Sequence, residues 1–158
     1  MPASYDRIIL HSVWSTKYRD PWIDLEIEAE LHAVMAAEFH KWGCKVIEIG
    51  GTDDHVHVIH TLPRTSCAAD VIAAVKSVSS GWISTVSNKY LGFRWQDGYG
   101  TFSVDYRNLT GLRSYVREQR AHHTPKGNYP NFKTEYTKIL KSYGHADFTP
   151  QYVFPNRT

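Results

Sequence analysis

The sequence predicts an α+β fold, a ferredoxin-like β-α-β-β-α-β sandwich with an antiparallel sheet, followed by C-terminal helices. Three observations carry that prediction. Four short segments concentrate β-branched and aromatic residues and read as strands. Two longer segments between them place apolar residues at three- and four-residue steps and read as amphipathic helices. The whole chain has 158 residues, 42% of them hydrophobic, which suits one domain with a single core.

The elements follow in order. Tyr5–Trp14, with Ile8-Ile9-Leu10 and Val13-Trp14, is the first strand. Asp20-Pro21 is a helix start signal, and Ile27, Leu31, Val34, Met35, Phe39 and Trp42 form one stripe ending at Gly43. Lys45–Ile49 is the second strand, residues 50–54 a turn, and His55–Leu62 the third strand. Thr65 or Ser66 can cap a second helix reaching Ser87, with Val71, Val75, Val78 and Trp82 on one face. Phe102, Val104 and Tyr106 alternate as a fourth strand. A helix capped by Asn108 then runs from Leu109 to about His123, and a short one from Phe132 to Leu140 stops at Gly144. The expected division is a core over 1–107, a helix region over 108–124 and a tail over 125–158.

Composition narrows the function. No apolar run approaches the ~18 residues of a membrane span, and Met1–Leu10 lacks a signal-peptide layout, so a cytoplasmic protein is expected. Cys44 and Cys67 supply neither a disulfide framework nor metal-ligand spacing. The net charge of +2 excludes a uniformly basic binder, yet it hides a split. Residues 1–106 carry 9 Lys+Arg against 13 Asp+Glu, and residues 107–158 carry 9 against 3. The basic third suits a surface for phosphates, with the acidity of the first helix pointing elsewhere.

Two short patterns carry chemistry. In His55-Val56-His57 the two-residue strand period puts both imidazoles on one face. They can ligate one metal if a third ligand comes from elsewhere; otherwise they are partly exposed polar residues on a half-solvated sheet. His60 has the opposite parity and reads as a hydrogen-bonded core or surface histidine. Further along, Tyr115 and Gln119 share a helix face, about one turn apart. A glutamine carbonyl oxygen suits a hard cation, and a tyrosine beside that cation can be a nucleophile. Phenol has a pKa of ~10, so it needs a divalent ion to polarise a scissile phosphate and stabilise the departing 3′ oxygen. The product, a 5′-phosphotyrosyl ester, can be attacked by a 3′-hydroxyl without ATP. The absence of a Walker-type loop fits such chemistry.

Taken together, the patterns resemble the single-tyrosine HUH transposases of small bacterial insertion sequences, of the insertion sequence 200/605 type. The matching stretches are Trp14–Arg19, Asp54–Ile59, Lys76 with Ser79 and Ser80, Trp95–Tyr99, Phe102–Val104, Tyr115–Gln119 with His122-His123, and Tyr152–Phe154. The resemblance implies an enzyme that cuts and rejoins single-stranded DNA at element ends and recognises DNA hairpins. It further implies Tyr115 as nucleophile, and His55, His57 and Gln119 as ligands of Mg²⁺ or Mn²⁺. The family works as a homodimer, in which the tyrosine helix of one subunit can complete the histidine pair of the other. Lys17, Arg19, Lys76, Arg113, Arg117 and Arg120 are candidate phosphate contacts, and Trp95 and Tyr99 candidate stacking platforms for unpaired bases. Two other readings compete: a domesticated hairpin-DNA binder without mobility, and a metal-dependent phosphodiesterase. The latter lacks an evident carboxylate beside the histidine pair, since Asp54 has the opposite strand parity.

Overall fold

The computed structural model of the chain describes residues 3–123 and 131–158. Four strands, β1 (Ile9–Ser15), β2 (Val46–Gly51), β3 (His55–Thr61) and β4 (Gly100–Ser103), form one sheet in the order β2-β3-β1-β4. Every neighbouring pair is antiparallel. With α1 (Glu28–Lys41) after β1 and α2 (Ala68–Val86) after β3, the order is the expected β-α-β-β-α-β. Helices α3 (Leu109–Arg117), α4 (Gln119–His122), α5 (Phe132–Ser142) and α6 (Pro150–Val153) follow. Among the described residues no helix is long and apolar enough to cross a membrane.

Strand alternation gives the sheet two different faces. Trp14 of β1 and Val56 and Val58 of β3 meet Leu31, Met35 and Phe39 of α1 and Val71, Ile72, Val75 and Ile83 of α2, the main apolar core. His60 shares that face. It is fully buried, its ring 4.5 Å from that of Phe39 and its Nε2 2.8 Å from the Ser12 hydroxyl, a hydrogen-bonded core histidine. The opposite face carries Ile9, His11, Val13, His55, His57 and Ile59, and the C-terminal helices cover it. Ile9 and Ile59 pack with Val116 of α3, while Val13 packs with Phe132, Tyr136 and Leu140 of α5.

One glycine sets the approach of α3. Gly50 of β2 pairs with His57, and a Cβ built on it would lie 2.0 Å from the Val116 carbonyl oxygen. Only a residue without a side chain lets the helix backbone lie this close to the strand.

Several boundaries differ from expectation, each for a local reason. Asp20-Pro21 does not start α1. The Thr16 hydroxyl donates to the Asp20 carbonyl (2.6 Å), Tyr18 and Arg19 take positive φ values (57° and 61°), and Ile23 N–H donates to the Asp53 carbonyl (2.8 Å). These contacts hold the chain in a turn, and α1 begins only at Glu28, after Asp24 Oδ1 accepts from the Glu26 and Ile27 amides. The second strand extends into Gly50-Gly51, and Cys67, rather than Thr65 or Ser66, precedes α2. β4 stops at Ser103 because the Asp105 carboxylate accepts from Arg107 N–H (2.9 Å) and starts a 3₁₀ turn over Tyr106–Asn108. Asn108 makes no side-chain cap, and the helix it precedes breaks at Glu118 (φ −98°, ψ 24°). Gly144 ends α5 near its expected limit with φ 85°. The tail adds α6, which was not anticipated, while Pro125 and Pro130 lie outside the described residues.

Candidate active site

The site lies where β3, α3, α4 and α5 meet. His55 and His57, two residues apart on β3, both point away from the apolar core, as alternation requires. Both are fully buried, so they are not residues of a half-solvated sheet. His55 begins the strand directly after the turn at residues 52–54. Its Nδ1 lies 2.7 Å from Asp54 Oδ1, and the Thr52 hydroxyl holds that carboxylate at 3.1 Å. Adjacency thus does what strand parity does not. Asp54 reaches its neighbour's ring nitrogen from the turn, and Nε2 is left facing inward. His57 is oriented similarly, with Nδ1 2.8 Å from Nε2 of buried His11 on β1.

The inward nitrogens converge on a residue not singled out in the sequence. Glu135 of α5 is fully buried. Its Oε1 lies 3.0 Å from His57 Nε2, 3.3 Å from His55 Nε2 and 3.0 Å from His123 Nε2. Its Oε2 accepts from the Tyr115 hydroxyl and from Gln119 Nε2 (3.0 Å). Gln119 Oε1 completes the ring of contacts, 2.9 Å from His55 Nε2 and 3.2 Å from His123 Nε2. Tyr115 and Gln119 thus face the same centre despite the helix break between them, and the Tyr115 ring stands edge-on to His57 at 5.8 Å.

A signal for Glu135 was present. It lies on the apolar stripe of its helix, beside the buried Phe132, Tyr136 and Leu140, and a charge on a buried stripe needs a partner. The structure also corrects the objection to a phosphodiesterase. Two carboxylates stand beside the histidine pair, Asp54 behind His55 and Glu135 of α5 between the inward nitrogens.

Electrostatics bind the cluster tightly. Burial pushes the Glu135 carboxyl up, but His57, His123 and His55 outweigh it and hold it far below the ordinary carboxylate range. Burial pulls His55 down, yet Asp54 and Glu135 prevail and raise it to about 9. His57 and His11 are lowered, in both cases chiefly by burial. The donor atoms of His55, His123 and Glu135 lie within 4.8 Å of one another, compatible with one divalent ion. A cavity lined by Pro21, Asp54, Arg120, His123 and Phe132 opens beside the cluster.

The family model for transposases described as IS200 like matches residues 4–119. The chain belongs to the IS200-like transposase family. No curated protein matches it. Among solved structures it is similar to a candidate transposase from Deinococcus radiodurans R1, with 17% identity and a TM-score of 0.60, covering 73% of this chain and 93% of that one. It is also similar to a REP-associated tyrosine transposase bound to a REP hairpin, with 10% identity and a TM-score of 0.53, covering 92% and 74%. These two likenesses concern the fold.

For this transposase the expected DNA contacts fare unevenly. Trp95 is buried in the main core, its ring 4.8 Å from Phe93 and its Nε1–H donated to Ser79 (2.9 Å), so it presents no face to a base. Lys76 donates its ammonium to the carbonyls of Gln96 (2.8 Å) and Gly98 (2.6 Å), clamping the loop that carries Tyr99, and burial lowers its pKa to about 8. Arg113 and Arg117 pair with Glu48, and Arg120 with Glu28 and Asp53. The charge split read along the chain is therefore largely pairing in space. The start of α1 meets the tyrosine region through Arg120 instead of pointing away from it. Lys17, Arg19 and Tyr99 retain surface exposure around the end of β1 and the loop before β4.

Proposed function

We propose that this chain cuts and rejoins single-stranded DNA at insertion-sequence ends through a 5′-phosphotyrosine on Tyr115. The observation that carries the reading is the convergence of the Tyr115 hydroxyl, Gln119, His55 and His57 on Glu135 within a buried centre of one chain. A divalent ion, Mg²⁺ or Mn²⁺, held by His55, His57 and Gln119 would polarise the scissile phosphate and stabilise charge on the 3′ oxygen. The donor types fit, two imidazoles and an amide oxygen, with Asp54 and His11 orienting the two rings and Gln119 Oε1 2.9 Å from His55 Nε2. Tyr115 Oη attacks phosphorus, the bond from phosphorus to the 3′ oxygen breaks, and the phenolic proton ends on the released 3′-hydroxyl. Glu135 Oε2 aims the phenol by accepting its hydrogen bond. The reverse attack by a 3′-hydroxyl joins a new strand.

Lys17, Arg19 and Tyr99 are the side chains offered to the DNA, and a hairpin is its expected form, as in the related structure that holds a REP hairpin. Tyr115 acts in cis in this reading, since Gly50 seats α3 on its own sheet and Arg113 and Arg117 pair with Glu48 of the same chain. A homodimer would then serve to bring two DNA ends together rather than to complete either site. The cytoplasm is the expected compartment. Glu135 beside the histidines also favours a second reading, a metal-dependent phosphodiesterase that uses water.

One assay separates the two. Incubated with Mn²⁺ and an end-labelled single-stranded hairpin oligonucleotide, then denatured, the protein is expected to carry label covalently, and Tyr115→Phe to carry none. Free cut product without an adduct supports the phosphodiesterase. An adduct that survives Tyr115→Phe contradicts the assignment of the nucleophile.

A further inference from the structure

The cation site built by the fold is larger than the histidine pair with Gln119. Around Glu135 Oε1 stand three imidazole nitrogens, from His55, His57 and His123, at 3.0–3.3 Å. Two ligands each about 2.1 Å from one ion lie about 3.0 Å apart at a right angle and about 3.4 Å apart at the tetrahedral angle. The spacings of His55 and His123 from the carboxylate match adjacent positions on a single ion. His55, His123 and Glu135 form the compact trio, with His57 on the far side of the same oxygen.

Three of these groups are also held from behind, as ligands to a metal usually are. Asp54 holds Nδ1 of His55, His11 holds Nδ1 of His57, and Tyr115 and Gln119 hold Oε2 of Glu135. Phe132 stacks on His55 at 4.6 Å and closes one side. A cavity lined by His123 and Phe132 lies beside the cluster. The site therefore has ligands and support.

From this geometry, and resting on the metal-assisted reading above, we infer that His123 and Glu135 join His55 in a site of two imidazoles and one carboxylate, with His57 held on the far side of the carboxylate, and that this site takes a first-row transition ion ahead of Mg²⁺. The preference follows from the donors. Imidazole nitrogen suits borderline transition ions, whereas Mg²⁺ favours oxygen and keeps several waters. A centre whose His55, His57, Gln119 and Glu135 side chains are fully buried offers little room for that water. A consequence is that the ion ties α5 to β3 through Glu135 and His55, joining the C-terminal segment to the sheet.

The test reads binding, not strand cleavage. Co²⁺ is titrated into the metal-stripped full chain, and its visible absorption bands report both occupancy and nitrogen ligation. The wild type is expected to bind one equivalent, and a 100-fold excess of Mg²⁺ to leave the bands in place. Glu135→Gln and His123→Ala should each weaken Co²⁺ at least about tenfold, and His123→Ala should also shift the bands. Thermal melts of the stripped variants check that they fold, and Glu135→Gln keeps the size of the side chain. Wild-type Co²⁺ affinity in both variants, with binding lost in His55→Ala, would overturn the inference and leave the smaller histidine-pair site. Displacement by the 100-fold excess of Mg²⁺ would overturn it too. Co²⁺ bound as described in a chain that forms no adduct with DNA supports the site and removes the phosphotyrosine function instead.

Discussion

The two faces of the sheet are built from the same strands and do different work. On β3, Val56 and Val58 turn toward α1 and α2 and join an apolar core, while His55 and His57, interleaved with them, turn toward α3 and α5. β1 repeats the division, with Trp14 on one side and His11 and Val13 on the other. The first face is closed by apolar packing, which is non-directional and tolerant of boundary shifts. The second holds buried polar groups that need partners at fixed distances. A two-residue period lets one strand serve both, so stability and chemistry can be perturbed separately.

Substitutions should break that comparison cleanly. The largest effect is expected for His57→Ala, which should lower strand cleavage by more than about 100-fold while hairpin binding, read by gel shift, stays near wild type. Equal loss of both would give His57 a structural role. On the other face, Ile72→Ala removes a fully buried side chain from the core and should cost about 2–5 kcal/mol. Denaturant melts measure that cost, and the folded fraction should keep its cleavage rate. Gly50→Ala lies between the two. Its methyl meets the Val116 carbonyl, so it should cost about 1–3 kcal/mol and lower cleavage by pushing α3, and with it Tyr115, off the sheet. If only stability falls, α3 is not what positions the nucleophile. The smallest effect is expected for Arg113→Gln. Its pair with Glu48 is exposed, and its loss should change stability by less than about 1 kcal/mol.

Legibility in the sequence followed the same division. Patterns of period 2 and 3.6 gave the order of strands and helices along the chain and the two histidines on one face, because periodicity is local. Tyr115 and Gln119 were legible at helical spacing, even though Glu118 breaks the helix between them. The partners across the fold were not. Glu135 lies 78 positions from His57 and His11 lies 46 from it, and no local rule connects such distances. Charge misled for the same reason: Arg120 sits in the basic third but pairs with Glu28, 92 residues earlier. Trp95 could have been base platform or core, and only burial decides between them. The start of α1 is not legible because the stretch Thr16–Ile23 is tied to Asp54 and Asp53, through the Thr16 and Ile23 amides, and these lie distant in sequence.

The central claim is that one chain holds a whole phosphotyrosine site, and a mixture of two inactive variants tests it most directly. Tyr115→Phe keeps the histidines and His57→Ala keeps the tyrosine, so equal amounts are combined with Mn²⁺ and a hairpin oligonucleotide and the proteins are weighed by intact mass spectrometry. A site complete within each chain predicts no protein–DNA adduct from the mixture and a full adduct from the wild type. An adduct on the His57→Ala chain would mean that its Tyr115 had worked against the histidines of a partner, and the account of a single-chain site would be wrong.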